Sequence, residues 1–112
     1  MALNEIGYTG QPPVTGYGPG FFRVGNEVLR GALALMPDGA RLWGGWDDHD
    51  FSGIDLLVVG CGADAMPLPI RFRETLEALD IGLEPMPTPA ACRVYNLVLA
   101  EGRRVGLVAL TV

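Results

Sequence analysis

Residues 54–62 read Ile54-Asp55-Leu56-Leu57-Val58-Val59-Gly60-Cys61-Gly62, a nearly unbroken run of branched apolar side chains that stops at a Gly-X-Gly turn. A short continuous run of this kind suits a central strand covered on both faces, the usual condition of a strand in a parallel sheet. Downstream, Pro67 to Asp80 has helical spacing, with Phe72, Leu76 and Leu79 on one face and Pro69 suited to the first turn. Ile81 to Met86 is a short strand whose Pro85 argues for a strand end or an edge. Thr88-Pro89 then opens a second helix, with Thr88 as N-cap and Pro89 at the first helical position. Ala91, Val94, Tyr95, Val98 and Leu99 recur at i, i+3, i+4, i+7 and i+8 and make one buried stripe. Gly102 supplies the C-cap, and residues 103–112 alternate loosely as a closing strand. The reading from residue 54 onward is two strand–helix–strand crossovers, right-handed and therefore parallel.

Upstream the pattern is antiparallel. Phe21 to Val24 favours a strand, and Gly25-Asn26 is a two-residue turn that returns the chain at Glu27. Leu29, Leu33 and Leu35 lie at even spacings, as on one buried face of a single strand. Pro37-Asp38-Gly39 turns the chain again, residues 40–46 make a third antiparallel strand, and Asp47 to Gly53 is a polar loop. The first twenty residues, rich in Gly and Pro, read as an extended arm with a short strand near Val14 to Tyr17. The fold class is therefore mixed α/β: an antiparallel meander, then two β-α-β crossovers in a mixed sheet. The helices are expected mainly on one side of the sheet, with the meander folded over as a further layer.

The 112 residues suit one domain, 1–112, with enough buried surface for a core. Hydrophobic residues make up 49% and charged residues 19%, which separates this chain from disordered ones. A formal net charge of −5 disfavours nucleic acid and anionic membranes as partners. No apolar run approaches the ~18 residues needed to span a bilayer. The opening MALNEIGYTG lacks a basic region followed by an apolar stretch, so a cytoplasmic location is expected. In that setting Cys61 and Cys92 default to reduced thiols. With His49 the single histidine, no metal or cofactor is implied.

Three segments, in order and spacing, resemble the Mth938-like family, which includes a mitochondrial complex I assembly factor. They are GYGPGFFRV with the following hairpin and GALALMPDG; IDLLVVGCG; and LDIGLEPMPTPAACRVYNLVLAEGRRVGLVAL. The resemblance extends from about Asn4 to Val112 and implies a three-layer β/β/α fold, without implying a reaction. Relatives commonly carry Thr before the aromatic-Asn pair, whereas Val94 precedes Tyr95-Asn96 here.

The candidate site residues are Gly60, Cys61, Gly62, Arg93, Tyr95 and Asn96. Gly60-Cys61-Gly62 lies at the carboxyl end of a strand, where open α/β sheets bind ligands, and its N–H groups can face an anion. The competing reading is a tight turn that needs glycine. Cys61 and Cys92 are either packing residues or thiols activated near a helix start, and a Cys61–Cys92 pair is one further arrangement. Tyr95 and Asn96 need hydrogen-bond partners if buried, and Asn96 can tie the helix to a neighbouring segment. Asp47, Asp48, His49 and Asp50 read as a solvated loop in preference to a metal site. Trp43 and Trp46, with Phe21 and Phe22, form either core or an exposed patch for a partner. No Ser-His-Asp or Cys-His-Asp set can be assembled. Two functions follow: a non-catalytic protein-interaction or assembly-factor module, monomeric or homodimeric, or a domain binding a small molecule or anion between Gly60–Asp64 and Thr88–Arg93. A thiol-dependent enzyme ranks third.

Overall fold

The computed structural model describes residues 11–112. The reading of MALNEIGYTG and the first half of the proposed arm fall outside the described residues. Among the described residues, eight strands and two helices follow in order: β1 (Val14–Gly18), β2 (Phe21–Val24), β3 (Glu27–Arg30), β4 (Leu33–Met36), β5 (Gly39–Leu42), β6 (Leu56–Cys61), α1 (Ile70–Ala78), β7 (Gly82–Met86), α2 (Thr88–Ala100) and β8 (Val105–Leu110). They form a three-stranded antiparallel sheet, β1-β2-β3, and a five-stranded mixed sheet in the order β5-β4-β8-β6-β7.

The expected single strand through Leu29, Leu33 and Leu35 is two strands in two sheets. Gly31, at φ +133°, lets the chain leave β3 and enter β4 on a different layer, a conformation that a residue with a Cβ resists. All four residues of β4 are buried, so both faces of this strand are covered. In β5, pairing with β4 ends at Leu42, and the expected strand over 40–46 gives way to a loop beginning at Trp43.

The crossovers are parallel as expected. Helix α1 links β6 to its neighbour β7, and α2 carries the chain from β7 back past β6 to β8. The two connections run in opposite directions along the sheet. Two right-handed crossovers of opposite direction place their helices on opposite faces, which corrects the expectation that both helices lie mainly on one side. On one face, Val58, Leu35, Leu107 and Ala109 pack with Ala91 and Tyr95 of α2 and with Phe22 and Val24 of the small sheet. On the other, Leu57, Val59, Ala34 and Val108 pack with Phe72 and Leu76 of α1 and with Trp43, Phe51 and Ile54. Leu79 is the C-cap that follows α1 and is 50% exposed, outside the stripe assigned to it. Pro85 lies in β7, an edge strand, where a missing N–H leaves no rung unmade.

The proposed aromatic patch is divided by this arrangement. Phe22 is buried against α2, whereas Trp43 is 6% exposed beneath the α1 face. Trp43, Trp46 and Phe51 meet Phe72 edge-on, with centroids 5.0–6.2 Å apart. The acidic loop is tied down rather than loosely solvated. The Asp48 carboxylate accepts from both terminal nitrogens of Arg41 and from the Gly44 N–H at 2.8 Å, while the Trp43 indole donates to the Asp48 C=O. Hydrogen bonding from the Arg41 guanidinium holds the Asp48 carboxyl well below the usual carboxylate range. A carboxyl depressed in the folded state contributes stability above its unfolded pKa, about 4, and loses that contribution as pH falls. Thermal unfolding of wild type should therefore weaken below about pH 4 more steeply than that of Asp48→Asn, and parallel melting curves would count against this anchor.

Candidate functional site

Gly60-Cys61-Gly62 ends β6 where the start of α2 crosses the sheet. The contact is made by Thr88, fully buried and the only buried polar residue among those described. Its Oγ1 accepts from the Gly62 N–H at 2.9 Å and donates to the Leu110 C=O at 2.7 Å, and its own N–H donates to the Gly62 C=O at 2.8 Å. Thr88 is thus not the N-cap. Pro87 holds that position without a side-chain bond, and Thr88 begins the helix with its hydroxyl turned into the sheet. The N–H of Gly62, an anion donor in the sequence reading, is already engaged. Gly62 itself takes φ +92°. Gly60 has no room for a side chain, since a Cβ there would lie 2.7 Å from Thr88 Oγ1 and 3.1 Å from Thr88 Cα.

The two cysteines are separate and reduced. Cys61 belongs to the core under α1 and Cys92 to the core under α2, so the sheet stands between them and the considered pair is not formed. Burial pushes the Cys92 thiol up to about 11, with only a smaller opposing pull from Arg93. It is a thiol and not a thiolate at neutral pH. Ellman's reagent should detect no reactive thiol in native protein at pH 8 and two after denaturation; one fast-reacting thiol in the native state would restore the nucleophile reading.

Tyr95 and Asn96 tie α2 to the segment at residues 12–14. The Tyr95 hydroxyl donates to the Pro12 C=O at 2.9 Å, and burial raises its pKa beyond the ordinary tyrosine value. Asn96 makes a two-way bridge to β1: its Nδ2 donates to the Val14 C=O at 2.8 Å, and its Oδ1 accepts the Val14 N–H at 2.9 Å. An asparagine amide presents a donor and an acceptor side by side, as a neighbouring strand would. Asn96→Ala should cost about 1–3 kcal/mol for two lost bonds. It should also speed amide exchange at Val14 selectively, and unchanged exchange there would contradict the bridge.

Arg93 lies one helical turn before Asn96 and is exposed. With Asn96, Cys92, Pro89 and residues 14–17 of β1 it lines a groove of about 300 Å³. Of the sequence candidates, Arg93 and Asn96 share this groove. Tyr95 points into the core beside it, Gly60 and Gly62 meet the helix start through Thr88 instead, and Cys61 is buried in the core under α1. Sequence reasoning took Thr88 for an N-cap beside an anion site, not for a clamp, and did not single out the β1 edge. The Pro-Thr-Pro setting of Thr88 was the available signal for the first; the β1–α2 contact is non-local and leaves none.

A family model described as a protein of unknown function (DUF498/DUF598) matches residues 14–110. The chain belongs to this family. An uncharacterized protein from Rhodobacter capsulatus is 47% identical over 111 residues, covering 95% of this chain and 90% of its own. NADH dehydrogenase [ubiquinone] 1 alpha subcomplex assembly factor 3 of Drosophila melanogaster is 31% identical over 82% of the chain, which spans 55% of that protein's length. The solution structure of a Bordetella pertussis protein described as a Mth938-like domain superposes with TM-score 0.72 at 27% identity, covering 88% of this chain and 85% of that one. The DUF498/DUF598 match and these relatives agree with the Mth938-like resemblance and with the mixed α/β fold. No described helix is long and apolar enough to cross a membrane.

Proposed function

We infer that this single-domain protein is a non-catalytic interaction module that assists assembly of a larger protein complex from the cytoplasmic side. The observation that carries the reading is how the polar groups of the candidate site are used. Thr88, Tyr95 and Asn96 all bond to backbone within the fold, and the Cys92 thiol is held protonated. The fly relative's name, a complex I assembly factor, supports the same direction. The alternative of an anion between Gly60–Asp64 and Thr88–Arg93 is weakened because the Gly62 N–H already donates to Thr88. What remains accessible is a surface: Leu97 on α2 is 65% exposed, next to Arg93 in sequence spacing and on the same outer face.

Cross-linking and co-purification of the tagged protein from its native cells, with partners identified by mass spectrometry, tests this. A stoichiometric partner lost on Leu97→Asp, with an unchanged melting temperature, supports the module. Preparations free of any partner count against it. The buried Trp43 is unsuited to such a test, because its replacement would disturb the core.

A further inference from the structure

We propose that the groove between β1 and α2 receives the C-terminal carboxylate of an extended segment from a partner protein. This rests on the interaction reading above and names its surface and chemistry. Among the described residues β1 is an edge strand, with no strand paired on its outer side. At Val14 that side is occupied by the Asn96 bridge, which joins β1 to the helix and closes one end of the groove. Further along, Gly18 and Phe21 close a two-residue hairpin turn, and Tyr17 faces Phe22 across the pair before it. The alternation of an antiparallel ladder turns the Tyr17 N–H and C=O outward, into the space beside α2.

A segment laid along this edge therefore finds one free backbone rung at Tyr17, apolar surface from Val14, Pro89 and Cys92, and a stop at Asn96. Arg93 stands over the stopped end, one turn from Asn96. It is the only charged residue lining the groove, and among the described residues it makes no ion pair. An extended chain that must end where a lone guanidinium waits matches a terminal carboxylate, which a guanidinium binds through paired N–H donors. Strand addition at a sheet edge next to a helix supplies the remaining contacts. A volume of about 300 Å³ is at the small end for ligand pockets and suits about two residues of such a terminus.

The test is titration of ¹⁵N-labelled protein with acetyl-Ala-Val-Val carrying a free carboxylate, and with its C-terminal amide, at millimolar peptide. The free acid should shift the amide signals of Gly16, Tyr17 and Arg93, the amide should bind about tenfold or more weakly, and Arg93→Gln should remove the difference without altering the melting temperature. No shift at these signals, or equal shifts from both peptides, overturns the proposal. So does acetate alone reproducing the shifts at the same concentration, which would indicate a small-anion site, or equal binding of acetyl-Ala-Asp-Val amide, which would indicate an internal acidic segment. Capture of the same cellular partner by wild type and Arg93→Gln would overturn this groove assignment while leaving the interaction module standing; absence of any partner would count against the module and leave the peptide result to judge the groove.

Discussion

Thr88→Val is expected to destabilise the protein by about 2–6 kcal/mol, the cost of leaving two backbone groups without their partner at ~1–3 kcal/mol each. Valine matches threonine in shape, so the effect isolates the hydroxyl. The buried Gly62 N–H loses its acceptor, and the partly buried Leu110 C=O loses a donor. For a domain of this size that corresponds to a fall of roughly 10–20 °C or more in melting temperature. Thr88→Ser keeps the hydroxyl and should recover most of it. A Thr88→Val protein melting within a few degrees of wild type would show that the hydroxyl is not the clamp between β6, β8 and α2.

The second large effect is expected at Gly60. Its missing side chain is what lets α2 approach β6, because an added Cβ would meet Thr88 Cα at 3.1 Å and Ala109 Cβ at 3.0 Å as well as the Thr88 hydroxyl. Backbone on one side and a central strand on the other leave nothing that can rotate away. Gly60→Ala should cost about 2–3 kcal/mol, the upper part of the usual range for overpacking. Gly106 is the informative contrast. A Cβ there lies still within 2.7 Å of another atom, but that atom is the Met36 Sδ, with the Ile54 Cδ1 at 3.1 Å. A methionine has three torsions with which to move, so Gly106→Ala should cost about 1 kcal/mol or less. Urea denaturation of the two variants decides the point, and equal losses would refute the distinction between rigid and yielding neighbours.

The elements that sequence made legible are those with local causes. The β6 run, the apolar stripe of α2, the Gly25-Asn26 turn and the edge position of Pro85 follow from side-chain period and turn chemistry, and the structure has them. The errors come from information that is not local. Leu29, Leu33 and Leu35 have the spacing of one strand, and nothing in that spacing records that Gly31 moves the chain between layers. Leu79 fits a helical stripe by count, yet the helix ends one residue earlier. The side on which each helix packs depends on strand order, because β8 goes to the far flank of β6 and so reverses the sense of the second crossover.

The candidate site divides in the same way. That Tyr95 and Asn96 would need partners was readable from residue type and helix position, but the partners, Pro12 and Val14, are more than eighty residues away in sequence. Thr88 was given the ordinary work of a threonine before a helical proline. Its actual work depends on the carbonyl of Leu110 and the amide of Gly62 arriving at the same point, which only the assembled sheet brings about.

The position of β8 has a consequence for how the molecule acquires its shape. It follows every other strand along the chain, yet it lies at the middle of the larger sheet, hydrogen-bonded to β4 on one side and β6 on the other. Until it is inserted, the β4–β5 hairpin and the β6–β7 pair have no ladder joining them, and two apolar strands keep an open edge. Folding is therefore a keystone process: neither half of the sheet is finished before the other, and the step that unites them is a long-range pairing of the slow kind. Single-exponential refolding, with protection at β4, β6 and β8 gained together, is the kinetic signature of that arrangement.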